Sequence, residues 1–281
     1  MRSPEPSPDN AAPPLSAPGL SGFKEALLAC VCVPAIVSAA EAVRPMSTDR
    51  PDTTESPYSV PAGLRQIEAS FADYSRDSRG IPDRKHQWIF GQINLKIGTS
   101  ENTDLQFIVN SHSVAGQVEG GDRSFSEGFG DVTVRFKKNL WGNDSGRTAF
   151  ALMPYVAIPT HTRMSERTWA AGLILPFAVK LNERLNLGIM SEFDFRERAA
   201  DSIGKFQWLQ SLTLGVAWTE RVGTYHEWVV IVSPTHAFQC AFNSGITFQV
   251  RDGVILDVGT RIGVTPSAPD LGLFSGISLR F

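Results

Sequence analysis

The chain has 281 residues, a formal net charge of -3, 42% hydrophobic and 10% aromatic residues, and a mean hydropathy just below zero. A helical membrane protein, which needs runs of about 20 apolar residues, is excluded. The lack of a basic excess or Lys/Arg cluster argues against nucleic acid as a partner. A transmembrane barrel is compatible with these numbers, because its lipid-facing and lumen-facing residues alternate and average out.

Residues 1–22 are rich in Pro, Ser and Ala and cannot build a core. So long a preface, with little positive charge, suggests a start codon set too far upstream. Residues 26–40 (ALLACVCVPAIVSAA) form an apolar core after Lys24 and before small residues. The run is too short to cross a bilayer as a helix and reads as the centre of a secretory signal, with cleavage expected after Ala40 or Ala42. The rival reading is a buried helix of a soluble protein. A lipid-modified Cys30 fits less well, since the apolar run continues past it. Cys30 and Cys32 leave with such a signal, so Cys240 stands alone and no internal disulfide is expected. No zinc-type Cys/His spacing survives.

Residues 43–63 form a polar segment with four prolines, which exclude a regular helix or strand over most of its length. Among its charged members, Asp49, Arg50, Asp52 and Glu55 are the plug candidates. Three-residue spacing of the carboxylates hints at a metal, but solvated carboxylates are the plainer reading, and neither metal nor cofactor is expected. Polar, stiff and leading directly into the first strand, the segment is expected either to lie in the periplasm or to plug a lumen from that side.

Period-two alternation takes over at Leu64. Strands are expected at residues 64–75, 87–98, 103–112, 130–140 and 147–159. The clearest run follows at 169–181, where Trp169, Ala171, Leu173, Leu175, Phe177, Val179 and Leu181 alternate with Ala170, Gly172, Ile174, Pro176, Ala178 and Lys180. Thirteen residues at about 3.3 Å each exceed what an apolar band of about 25 Å needs, even when steeply tilted. Asn182-Glu183-Arg184 is short enough for a hairpin turn into residues 185–196. A further face runs from Phe206 to Trp218, with Trp208 and Trp218 placed like two interfacial girdles. Residues 225–233, 238–250, 254–264 and 271–281 complete about 12 strands, an even number as single-chain bacterial barrels require. Soluble sheets use shorter strands, mostly of about five or six residues. Pro154, Pro159 and Pro176 are awkward, since a closed barrel has no edge on which to hide them. A mid-strand Pro176 would put the register there in doubt.

If the alternation holds, Lys96, Asp104, Asp131, Arg135, Lys137, Lys180, Glu192, Asp194, Arg196, Asp257, Arg261 and Arg280 face inward. Lys96, Arg135, Lys137, Glu192, Asp194, Arg261 and Arg280 are the foremost lumen-lining candidates. Both signs are present, so these groups either pair across the lumen or line a passage. The inward glycines, Gly172, Gly188, Gly215, Gly259, Gly263 and Gly276, either widen that passage or let a plug approach the wall. Enzymatic chemistry is not expected. His112 lies between Ser111 and Ser113, but neighbouring strand residues point to opposite faces, so neither serine can meet it as nucleophile without a turn. The plainer reading is a polar loop histidine near a strand end. Gly128-Phe129-Gly130 lacks the Lys-Ser/Thr of a phosphate loop.

The closing run (LFSGISLRF, residues 273–281) sets Leu273, Ile277, Leu279 and Phe281 against Phe274, Gly276, Ser278 and Arg280. Ending on an aromatic, it resembles the last strand of a bacterial outer-membrane barrel, which the barrel-assembly machinery recognises. Four strings, STDRPDTTESPYSVPAG (47–63), GFGDVTVRFKKNLWG (128–142), ALMPYVAIPT (151–160) and WTERVGTYHEWV (218–229), resemble the outer-membrane "transporter" family labelled "putative MetA-pathway of phenol degradation". The likeness runs from about Ser47 to Phe281. The chain departs from the family in its long preface and in a short connection at 199–204.

The resemblance implies an all-β, up-and-down antiparallel transmembrane barrel over 64–281, with an N-terminal extension and signal peptide at 1–42 and the Pro-rich segment between. It also implies a Gram-negative outer-membrane location reached through the periplasm, outer-membrane lipid around the barrel, and passive passage of small solutes, including aromatic or hydrophobic ones. It carries no catalytic residue. The rivals are a closed structural or interaction barrel, a membrane esterase or lipase, and a soluble secreted β-protein.

Overall fold

Where apolar and polar residues alternate, the chain forms strand, and no helix occurs among the described residues. The computed structural model describes residues 43–78, 84–119, 122–144, 146–197 and 205–281. The expected signal, its cleavage sites and the 199–204 connection lie outside them. The unit from Arg44 to Phe281 contains β1 (Arg65–Asp77), β2 (Arg84–Ser100), β3 (Thr103–Glu119), β4 (Asp122–Gly128), β5 (Val132–Trp141), β6 (Thr148–Ile158) and β7 (Ala170–Lys180). It continues with β8 (Leu185–Arg196), β9 (Lys205–Ala217), β10 (Val222–Ser233), β11 (His236–Arg251), β12 (Val254–Gly263) and β13 (Leu271–Arg280).

All pairings are antiparallel, and β13 returns to β1 with Ser278 opposite Glu68, which closes the sheet on itself. Thirteen strands make twelve staves. β3 pairs with β5 through residues 103–109 and with β4 through residues 113–119, so β4 and β5 are one stave broken at residues 129–131. The result is a closed 12-stranded transmembrane β-barrel. The sequence reading stopped the third strand at 112 and placed nothing at 122–128. Between Ser113 and Gly128 the chain is rich in Gly and in polar residues, with Val114, Val118 and Phe125 its only large apolar ones. A ribbon with so few large apolar residues carries only a weak alternation.

Pro154 and Pro176 both lie inside strands. Opposite Pro154 the β5–β6 ladder skips two pairs, and opposite Pro176 the β6–β7 ladder does the same. Each proline lacks an N–H to donate there. The register nevertheless continues unchanged, and Pro176 faces Met190 across an intact β7–β8 ladder. The doubt about register at Pro176 therefore falls away.

Leu212, Trp208, Trp218, Trp169 and Leu181 are exposed on the outer face, whereas Ile174 and Met190 are completely buried. The interior is less polar than the charge pattern suggested. Met153, Ile174, Met190, Leu209 and Val229 form one apolar cluster inside β6–β10, with Tyr155 and Ile231 packed on it.

Candidate functional site

The barrel interior holds the chain's own Pro-rich segment. Prolines at 45, 51, 57 and 61 forbid regular structure, so the segment's backbone amides need partners outside itself. Inward carboxylates supply them. The N–H groups of Asp49 and Arg50 donate to Glu68 on β1, at 2.9 to 3.1 Å. Glu227 on β10 is completely buried and accepts the N–H groups of Thr53 and Thr54 (3.0 and 2.7 Å) and the Thr54 hydroxyl (2.6 Å). On the way out, Val60 N–H donates to Asp104 on β3 at 2.9 Å, and Asn139 on β5 donates to the Pro57 carbonyl at 2.8 Å.

Side chains add a second set of ties. The Asp49 carboxylate pairs with Lys96 at 2.5 Å and Lys137 at 3.0 Å, all three nearly inaccessible. Lys96 also pairs with Glu68. Arg50 meets both oxygens of Asp257 on β12, at 3.1 and 2.7 Å. Glu55 pairs with Arg135 on β5, and its N–H points at the Met190 sulfur at 3.2 Å.

Burial acts to raise the Asp49 carboxyl, but Lys137 and Lys96 outweigh it and hold that group far below the ordinary range. Burial raises Glu55 to about 7 against the pull of Arg135. Asp52 is raised well above its ordinary value by burial and then by the nearby charge of Glu227.

Gly276 and Gly188 are needed for this close fit. A Cβ on Gly276 would come within 2.4 Å of the Arg50 guanidinium, and one on Gly188 within 3.1 Å of Thr54 after first meeting Thr213. Of the two uses left open for the inward glycines, these two admit the segment. Gly172 and Gly259 instead make room for the wall's own Tyr155 and Phe274.

Of the four plug candidates, Asp49, Arg50 and Glu55 are tied to the wall. Asp52 lines, with Glu55, Gln92, Asn94, Arg135 and Arg261, a cavity of about 150 Å³ on the far side of the segment. Arg261 pairs with Asp73 through its two terminal guanidinium nitrogens (2.9 and 2.7 Å) and lies 4.4 Å over the Phe274 ring. Glu192 and Asp194 stand nearer the loop end, where Tyr155 donates to Asp194 and Gln207 does so at 3.2 Å. They line a vestibule of about 280 Å³ with Arg196. Arg280 and Lys180 border a cavity of about 230 Å³ at the opposite mouth, beside Arg44 and Tyr58.

Two expectations are corrected. Asp131 does not line the lumen: it lies in the break between β4 and β5 and binds residues 160 and 166. His112 is no loop residue. It sits within β3, exposed, stacked on Phe90 at 6.4 Å and 4.0 Å from Glu127. The sequence reading missed Glu68, Asp73 and Glu227. Glu68 was findable, because Gln66, Glu68 and Ser70 alternate with Ile67, Ala69 and Phe71. Asp73 was not, because a register shift between Ser70 and Ala72 turns the later residues to the other face.

The sequence profile of the family described as "Putative MetA-pathway of phenol degradation" matches residues 48–281. The fold is similar to the COG4313 outer membrane channel from Pseudomonas putida F1, at 12% identity and a TM-score of 0.59, covering 80% of this chain and 97% of that one. It is also similar to the KdgM porin, at 7% identity and a TM-score of 0.50, covering 77% of this chain and 99% of that one. No curated protein matches.

Proposed function

The chain belongs to the family described as "Putative MetA-pathway of phenol degradation", and from that premise we propose that it is a passive outer-membrane channel for small solutes, closed at rest by its own Pro-rich segment. One observation carries the reading. A segment that makes no strand of its own and runs on covalently into β1 occupies the lumen beside the packed wall side chains, with cavities on both sides of it. A barrel built only as a scaffold has no need of an interior wide enough for a polypeptide. That the fold matches a protein described as an outer membrane channel supports both the role and the location.

Movement would be diffusion once the segment shifts. Inward polar groups would orient the solute, and Met190, which the docked plug covers at Glu55, would lower its desolvation cost once bared. Tyr155, which borders the vestibule, adds an aromatic face, which favours aromatic solutes among small ones. His112, on the outer face beside Phe90, lends no support to a hydrolase.

Deleting residues 47–57 should raise single-channel conductance in planar bilayers and sugar uptake in liposome swelling, while heat-modifiable migration reports a folded barrel. A folded deletion variant with unchanged conductance would refute the plug. One that also admits no solute would favour the closed scaffold.

A further inference from the structure

Cations gather at the turn end of the barrel without carboxylates to match them. Arg44, Lys180 and Arg280 line the cavity of about 230 Å³ at that mouth, and no Asp or Glu lines it with them. The Arg44 guanidinium donates to neutral acceptors, the Glu101 carbonyl at 3.1 Å and the Ser59 carbonyl at 3.2 Å. Its charge therefore stays uncancelled. Lys180 pairs with Glu183 at 2.9 Å, but that carboxylate is 89% exposed, and a solvent-facing pair contributes little. The Arg280 guanidinium makes no hydrogen bond or ion pair among the described residues. Arg44 repels it more than Asp252 attracts it.

The rest of the lining includes an apolar side. Pro45, Met46 and Val60 form it, and the half-buried Tyr58 ring joins them. Tyr58 lies within reach of the Lys180 charge, which opposes the rise that burial imposes on its hydroxyl. A thioether and an aromatic ring both favour an aryl partner over an alkyl one. The cavity far exceeds the roughly 10–15 Å³ that a single water needs, so it suits a ring-sized solute and not a bare ion.

Both ends of the plug build this site. Arg44 and Met46 belong to its entry into the barrel and Tyr58 and Val60 to its exit, whereas Lys180 and Arg280 end β7 and β13. Short turns mark the periplasmic side of such barrels. At the loop end, Glu166, Glu192 and Asp194 stand against a single arginine, Arg196, in the vestibule lining. An anion is thus disfavoured there and attracted at the turn end.

We infer that the turn-end cavity binds a small aryl carboxylate, its carboxylate among Arg280, Lys180 and Arg44 and its ring against Met46 and Tyr58. Because the site needs both ends of the docked plug, occupancy shifts the population toward the closed channel. Binding itself needs only the cavity, while this effect on conductance rests on the plug reading.

The test titrates benzoate by calorimetry into the full chain in detergent micelles, with benzamide and sulfate as controls. Benzoate should bind saturably and benzamide about tenfold or more weakly, as the loss of one charge-assisted hydrogen bond implies. Lys180→Gln and Arg280→Gln should each weaken benzoate by a similar factor. Should Arg280→Gln, next to the terminal Phe281, fail to insert, Lys180→Gln decides alone. In planar bilayers, benzoate on the turn-end side should lower the conductance of the full chain and leave the variant lacking residues 47–57 unaffected. Benzamide binding as tightly as benzoate overturns the anion site, and sulfate binding as tightly overturns the aryl site. Undiminished binding in the variants overturns the assignment to this cavity. Benzoate that binds without lowering conductance overturns the coupling to the plug. A conducting barrel that binds no benzoate sinks the site and leaves the channel, whereas a barrel that binds benzoate and never conducts does the reverse.

Discussion

Glu227 offers the sharpest single-residue test, because it accepts two backbone amides and a hydroxyl of the plug from a fully buried position. Hydrogen bonds to a charged group contribute about 1.5–3 kcal/mol each. Glu227→Ala should release the plug tip and raise conductance, while the yield of folded barrel holds. Glu68→Ala should do more, since it also leaves Lys96 with Asp49 alone, and breaking a buried pair costs about 3–5 kcal/mol.

Glu55 makes docking pH-dependent, and the sign follows from linkage. Its docked value of about 7 stands above the ordinary 4.5, so the docked plug binds a proton more tightly than a displaced one. That contribution is complete below the ordinary value and is lost as pH rises through 7. Asp49 works the other way, but is held so low that its contribution fades only in strong acid. Raised Asp52 acts in the same direction as Glu55. Conductance should therefore increase from pH 5 to pH 8, and Glu55→Gln should flatten the increase. A conductance that falls over this range would contradict the docked geometry around Arg135, Asp49 and Lys137.

At the scale of elements, the alternation of β7 and β9 makes opposite predictions for adjacent residues. A spin label at Leu175 or Leu214 should report hydrocarbon, and one at Thr213 a polar interior. Leu175→Arg should cost the barrel about 2–4 kcal/mol, as a cation at mid-membrane depth does, measured by urea unfolding from vesicles. The long strands were legible because one face meets lipid and the other a mixed interior, so hydropathy repeats every second residue. β4 was not, since Asp122, Arg123, Ser124 and Ser126 are all polar and its faces differ little. Local irregularity also hid residues: the shift at Phe71 reversed the face of Asp73, and mixed faces around Tyr225, Glu227 and Trp228 concealed Glu227.

For the whole molecule, the plug couples β1, β5, β10 and β12 through Glu68, Arg135, Glu227 and Asp257. Removing it should lower the temperature at which heat-modifiable migration is lost, because buried lysines at 96 and 137 then lose the Asp49 charge between them. Sequence by itself determined the fold class, about how many staves there are, the lipid face of regular strands such as β7 and β9, and which segment could not be strand. Those properties follow from local periodicity and from proline's missing N–H, and need no partner. Only the tertiary structure decided that the Pro-rich segment lies within the barrel and which carboxylates hold it. Those depend on residues as far apart as Arg50 and Asp257 meeting across a closed sheet, and no local pattern encodes such a contact.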